Sequence, residues 1–504
     1  MRISRLFVYG LIFVSLAAFT ACGGGEPAPI EPLAFDDVLA IANERRNIVN
    51  ERDMDRINAL IYGREPSSLP WERLFYNPRT GMISREEAME DAKIFFELLR
   101  HWYGAYEYFG GDEVFLPILD SLLETLAATE QHVVLLFSHL LRDYLSPVIV
   151  DNHFYIDGHR LGVSSHFFIW DTPFERSANG FRRQDTGLYV SEIVGHNKYE
   201  VFRLTMNEDG ELFYVPIIIR PEGDGLRYTF TIIYAGGEEE EVSLPLTVFN
   251  EIHDFGAPPS LRFENNIPVA TLRGMPLPIA TPYDYAIDLD AENAIIFLSF
   301  AEQLQDEPVI IVDIRSNGGG FQALSRMLLR YLTGYVIPDG FYTISTHGIV
   351  PPENMYGLPA VWYMYFNQSE EAIEFFEMMY EIFGSYIIPL DDYHSLTPPA
   401  DRAIQNDTLI ILLVDRFSGS AAEAFTSQIL NMENTLVIGQ NTFGTLLTSS
   451  FLPMHLPNSG IPFIMGPGHT VHPEGTWQEG VGYAPDIWVI GDALTAALAM
   501  LNNR

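Results

Sequence analysis

The segment Leu409 to Phe425 reads LIILLVDRFSGSAAEAF and sets a serine, Ser420, between an apolar run and a helical pattern. Six apolar residues, Leu409 to Val414, show no alternation of polarity, as expected of a strand covered on both faces in a parallel sheet. The chain then turns through Asp415, Arg416, Phe417, Ser418 and Gly419, and a helix is predicted from Ser420 onward. A serine at such a turn can act as a nucleophile. The same spacing has a structural reading, because Ser420 followed by Glu423 is a capping box in which the hydroxyl satisfies a free helix amide. A second segment, Asp313 to Gly320 (DIRSNGGG), follows the apolar run Val309 to Val312. Its three glycines allow main-chain amides to approach a ligand closely and to take positive φ, which suits an oxyanion hole, an anion nest or a plain strand-to-helix loop. Phosphate binding is the weaker use, since neither a P-loop lysine nor a GxGxxG spacing is present. The chain holds only two lysines, Lys93 and Lys198, both remote in sequence from Ser420, so the group that activates this serine is not expected to be a lysine. His469 and His472, with Glu474, lie in a Pro- and Gly-rich stretch without the helical HExxH spacing, and are read as lining a cleft rather than holding a metal. No cofactor is implied.

These residues need a scaffold. Residues 35–146 carry helical periodicity, most clearly from a second capping box at Ser84 and Glu87. Residues 147–265 form short β-rich pieces separated by turn signals such as Glu208-Asp209-Gly210 and Glu222-Gly223-Asp224-Gly225. Residues 266–504 alternate strands with helices, including a helix from about Phe321 to Leu332 and helices near 370–384, which specifies an α/β core. The expected organisation is therefore a helical N-terminal subdomain, an intervening β-rich module and an α/β core.

At 504 residues and 47% hydrophobic content, the chain can bury a substantial core. Its net charge of −38 argues against a nucleic-acid partner, because phosphate binding needs clustered Lys and Arg. Residues 1–22 combine basic Arg2 and Arg5, an apolar core from Leu6 to Phe19 and small residues ending at Cys22, the single cysteine. This resembles a bacterial lipoprotein signal. The resemblance implies a lipidated Cys22, a flexible tether over residues 23–34, an extracytoplasmic location and a membrane anchor.

Four blocks carry a more specific resemblance: Val312-Asp313-Ile314-Arg315-Ser316-Asn317-Gly318-Gly319-Gly320, Ser418-Gly419-Ser420-Ala421-Ala422-Glu423, Gly439-Gln440-Asn441-Thr442-Phe443-Gly444, and Glu479-Gly480-Val481-Gly482-Tyr483-Ala484-Pro485-Asp486-Ile487. In this order and approximate spacing they resemble the tail-specific, or C-terminal processing, serine peptidases. The resemblance implies a crotonase/ClpP-like core, Ser420 rather than Ser418 as nucleophile, and an oxyanion hole from the amides of Gly319, Gly318 and Ala421. The Ser/Lys members carry their base directly after TFG, where this chain has Thr445, and a threonine hydroxyl is no base near neutral pH. The resemblance then points to the tricorn-like branch, with Asp151-Asn152-His153 supplying histidine His153 and the final block supplying Glu479. Such a set implies Ser420 attack, proton transfer to His153 and support of the imidazolium by Glu479, acting on peptide or protein substrates. The departure at Thr445 leaves a second reading, an inactive peptidase-fold lipoprotein that binds peptides or apolar ligands. No carboxylate-binding glycine loop of a PDZ module is recognisable in the β-rich region.

Overall fold

The computed structural model describes residues 34–46, 74, 81–223, 225–249, 254, 256–275, 287–345, 348–349, 403–449 and 454–503. The leader with Cys22, the tether up to residue 33 and the helices expected near 370–384 lie outside the described residues.

An eleven-stranded sheet among the described residues organises the α/β part. Ser260–Glu264 forms an antiparallel hairpin with Ile267–Thr271. From there the order runs through Val309–Asp313, Leu409–Val414, Thr435–Gly439, Ile487–Val489 and Phe202–Met206, each pairing parallel to the last. The Leu409 strand is buried at all six positions, as its unbroken apolar run requires. Its residues divide between two cores in strict alternation. Ile410, Leu412 and Val414 join Phe297, Leu328 and Phe425 on one face, whereas Leu409, Ile411 and Leu413 join Val38, Ala497 and Met500 on the other. Helices Ile287–Leu304, Ala323–Thr333 and Ala421–Ile429 therefore cover one side of the sheet, and Phe35–Arg46 and Ala493–Asn502 cover the other.

The sheet continues past the parallel strands. Leu212–Pro221 pairs antiparallel with Phe202–Met206, and both Phe174–Ser177 and Ser165–Ile169 pair with Leu212–Pro221. Strands from the β-rich region thus extend the core sheet, and Trp488 packs with Phe167, Val215 and Ile217 across that seam.

The helical region forms its own apolar cluster. Arg85–His101 opens on the Ser84–Glu87 capping box and presents Phe95, Leu98 and Leu99 inward. This cluster includes Phe154 and Ile156 of the strand Asp151–Ile156, and Phe463 of the strand Pro462–Ile464 paired with it. The strand carrying His153 is consequently clamped between the helices and the α/β part.

Candidate active site

Ser420 stands at the junction of the fully buried Leu409 strand and the helix Ala421–Ile429, with φ of 54°. Left-handed backbone is costly for a residue with a Cβ, on the order of 1–3 kcal/mol, and persists only where surroundings over-determine it. Those surroundings are visible. Gly419 N–H donates to the Asn317 carbonyl at 2.9 Å, Phe443 N–H to the Ser418 carbonyl at 2.8 Å, and Ser420 N–H to Glu423 Oε2 at 3.2 Å. The capping box is thus present, and it coexists with a half-buried Ser420. Ser418 is spent on the turn: it is fully buried and its hydroxyl donates to the Ile314 carbonyl at 2.8 Å.

The glycine block closes on this serine. A Cβ placed on Gly319 would lie 2.6 Å from Ser420 Cβ and 3.0 Å from the Ala421 nitrogen. Gly319 has φ of 104°, which glycine alone adopts without strain. Ala421 N–H is a first-turn donor, for which the helix itself has no acceptor. Gly319 N–H donates to Asn317 Oδ1 at 3.0 Å, while Gly318 lies exposed at the tip of the loop. The block is pinned from behind by Met275, whose amide donates to the Gly319 carbonyl and whose carbonyl accepts from Phe321 N–H, both at 2.8 Å.

Glu423, read from sequence only as a cap, is the hub of the site. It is fully buried, and its carboxylate accepts from five donors on three segments: Ser420 and Thr445 amides on Oε2, and the Thr442 hydroxyl, Gly444 amide and Trp477 indole on Oε1. The TFG block is thereby bolted to the helix that starts after Ser420. Thr445, at the position of the Ser/Lys base, is buried with its Cγ2 against Gly419. Arg416 closes the far side, donating to the carbonyls of Thr442, Val481, Phe443 and Gly480, with its guanidinium 4.5 Å from the Phe167 ring centroid. Burial brings Arg416 down to about 10 despite the charges of Glu423 and Asp415.

His153 is buried on the strand Asp151–Ile156. Its Nδ1 lies 2.5 Å from the Thr448 carbonyl. A carbonyl can only accept, so Nδ1 carries the proton and Nε2 of the neutral ring is the acceptor. Glu479 is placed differently from the triad expectation. Its Oε1 accepts the Asn152 amide at 2.6 Å and its Oε2 accepts the Leu447 amide at 3.1 Å. Among the described residues no hydrogen bond joins Glu479 to His153, or His153 to Ser420. The Thr448 carbonyl, not Glu479, orients the imidazole; Glu479 ties together the two segments that hold it. Burial, then the charge of Asp151, raises the Glu479 carboxyl well above its usual range, against the two amides.

The histidines of the GHTVHPE stretch are both engaged. His469 Nδ1 meets the Leu447 carbonyl at 3.0 Å; His472 meets the Tyr483 hydroxyl at 2.9 Å and stacks on Trp477 with ring centroids 4.2 Å apart. Among the described residues no group of three or more His, Cys, Asp or Glu side chains is arranged to hold a metal ion.

Residues 290–489 match the family model for Peptidase family S41, and this span contains the glycine block, Ser420, the TFG block and Glu479. Residues 290–489, less than half of the chain, are thus similar to peptidase family S41. That similarity supports a serine-type peptidase. No curated protein matches the chain. Solved structures similar to it include mature CPAF complexed with lactacystin, at 15% identity over 83% of this chain and 99% of that one, with a TM-score of 0.41. The photosystem II D1 C-terminal processing protease is similar at 12% identity over 81% and 93% of the two chains, with a TM-score of 0.35. The tricorn protease is similar at 13% identity over 83% of this chain and 37% of that one, with a TM-score of 0.34.

Sequence reading missed the five-donor role of Glu423, the carbonyl clamp of Arg416 and the place of Asp151. Glu423 and Asp151 stood inside quoted motifs, so a signal existed; for Arg416 only its position in the turn before Ser420 was available.

Proposed function

We propose that this protein is a lipid-anchored, extracytoplasmic serine endopeptidase of family S41 that cleaves peptide bonds through an acyl-enzyme on Ser420, with His153 as general base. The observation that carries this reading is Ser420 itself, held at φ of 54° between a buried strand and a helix start, with Gly319 and the Ala421 amide packed beside it. In this scheme Ser420 Oγ attacks the scissile carbonyl carbon while Nε2 of His153 takes the hydroxyl proton. The C–N bond then breaks and the leaving amine receives that proton; water, deprotonated by the same nitrogen, releases the acid. The Nδ1 contact to the Thr448 carbonyl supports the tautomer this requires. The Ala421 amide stabilises the oxyanion, such a donor being worth about 3–4 kcal/mol in other hydrolases; the Gly319 amide joins it by leaving Asn317 Oδ1, to which it donates at 3.0 Å. The separation of Glu479 from the imidazole departs from a Ser/His/Glu triad but leaves the Ser/His chemistry intact. Lipidation at Cys22 and the extracytoplasmic address rest on the leader pattern, and the acidic composition suits a protein without nucleic-acid partners.

A second reading has one observation in its favour: no hydrogen bond links His153 and Ser420 among the described residues. The chain would then be an inactive peptidase-fold lipoprotein that binds peptides or apolar ligands. Labelling with a fluorophosphonate probe separates the two. Wild type is expected to label while Ser420→Ala does not and His153→Ala is strongly slowed; absence of serine-dependent labelling in folded protein establishes the binder. Incorporation of labelled fatty acid, lost in Cys22→Ser, checks the anchor.

A further inference from the structure

Asp151 is fully buried, and among the described residues no Lys or Arg pairs with it. A buried carboxylate without a cation is expensive and is retained only where hydrogen bonds replace water. Three donors do so: the His153 amide on Oδ1 at 2.9 Å, and on Oδ2 the Tyr103 hydroxyl and the Thr448 hydroxyl, each at 2.8 Å. Two of these donors belong to the residues that make the imidazole contact, since the Thr448 carbonyl is the partner of His153 Nδ1. One carboxylate therefore fixes both ends of that contact, the backbone of the ring's own residue and the side chain of the residue whose carbonyl receives the ring proton. Tyr103 adds the third arm, from the buried aromatic cluster against Phe154, with its ring centroid 5.1 Å from the Phe154 ring. The other acid facing this strand, Glu479, grips the next residues along on both segments, the amides of Asn152 and Leu447.

We infer that Asp151, assisted by Tyr103 and Thr448, is a positioning residue that locks the His153 ring with Nε2 free to accept the serine proton. The inference rests on the reading of His153 as general base. It explains why the two polar residues stand two apart: the Asp151 carboxylate can turn back onto the His153 amide only at that short range. It also gives a reason for keeping a carboxylate where an apolar residue would cost less, because the group sets ring orientation rather than stability.

The test is the rate of Ser420 phosphonylation by a fluorophosphonate probe, followed by intact mass, with the maximal rate and the half-saturating probe concentration determined separately. Thr448→Val keeps shape and backbone carbonyl but removes the hydroxyl; Thr448→Ser keeps the hydroxyl. Thr448→Val is expected to lower the maximal rate about tenfold, the loss of one hydrogen bond's worth of orientation, with half-saturation unchanged. Thr448→Ser is expected to stay within about twofold of wild type, and Asp151→Asn, where it folds, to fall at least as far as Thr448→Val. A wild-type maximal rate in Thr448→Val, or failure of Thr448→Ser to restore it, overturns the inference. Because the Thr448 pair answers the question alone, misfolding of Asp151→Asn does not protect it. His153→Ala distinguishes the layers: labelling at the wild-type rate removes the base reading and this inference with it, whereas its loss beside an unaffected Thr448→Val removes the inference only.

Discussion

Glu423→Gln is the sharpest perturbation of this site, because it changes one atom and leaves volume nearly constant. The carboxylate offers only acceptors, and all five neighbours are donors. A glutamine must set its NH2 on one of the two oxygen positions. On the Oε2 side it faces the amides of Ser420 and Thr445, now at 3.2 and 2.7 Å. On the Oε1 side it faces the Gly444 amide and the Trp477 indole N–H, both at 3.0 Å, and the Thr442 hydroxyl, which can rotate to accept. Either way two buried N–H groups lose their acceptor. At about 1–3 kcal/mol for each stranded donor, the cost is about 2–6 kcal/mol, a large part of a typical folding free energy. Ser420 labelling should also slow, since four of the five donors belong to Ser420 and to the segment from Thr442 to Thr445 behind it. Urea unfolding followed by tryptophan fluorescence measures the first effect and fluorophosphonate labelling the second, with exposed Glu130→Gln as a control expected within about 0.5 kcal/mol of wild type. A Glu423→Gln protein within about 1 kcal/mol of wild type and labelling at full rate would refute the hub argument, since a stranded buried donor costs at least that much.

Three further outcomes follow from the same geometry. Gly319→Ala combines positive φ with a Cβ 2.6 Å from Ser420 Cβ, so we expect about 2–5 kcal/mol of destabilisation and loss of labelling; a stable, fully labelled variant contradicts it. For Glu479, a folded-state carboxyl raised by burial and by Asp151 contributes stability that is present below its ordinary value near 4.5 and is lost as pH rises through the raised folded value. Relative to Glu479→Gln, wild type should therefore gain stability on acidification across that window, and parallel stability curves for the two proteins would refute the sign. Asp313 is buried between Arg273 and Arg315, whose bonds at 2.8 Å outweigh desolvation and hold its carboxyl well below the usual range. Asp313→Ala removes the carboxylate that Arg273 and Arg315 share, leaving Arg315 its pair with Asp492 and Arg273 only backbone carbonyls; a loss of about 3–5 kcal/mol is expected in chemical unfolding, and a loss under about 1 kcal/mol counts against it.

Much of this is legible in the sequence. The unbroken apolar run of the Leu409 strand announced a strand buried on both faces, and it is one. The strand before the glycine block and the helix after Ser420 could be placed because period and turn chemistry are local signals. Less legible was the fate of the β-rich region, whose strands join the core sheet through the pairing of Trp488 with Thr205, a contact between residues 283 positions apart that local pattern cannot encode. The candidate base was named from a short block, yet its environment was not: nothing in Asp-Asn-His says that Thr448 will meet the ring or that Glu479 will grip the neighbouring amides.

The sequence by itself determined which residue types were available for chemistry. It put a serine and a glutamate at helix-start spacing, a glycine run after a buried strand, a threonine where a lysine base would stand, and only two lysines in the whole chain. Tertiary structure decided how these are used. Glu423 became a five-donor hub, Glu479 a tie between backbones and Asp151 the anchor of the histidine. A buried carboxylate must find its donors wherever the fold supplies them, and these lie up to 54 positions away for Glu423, 327 for Glu479 and 297 for Asp151, beyond the reach of a local pattern.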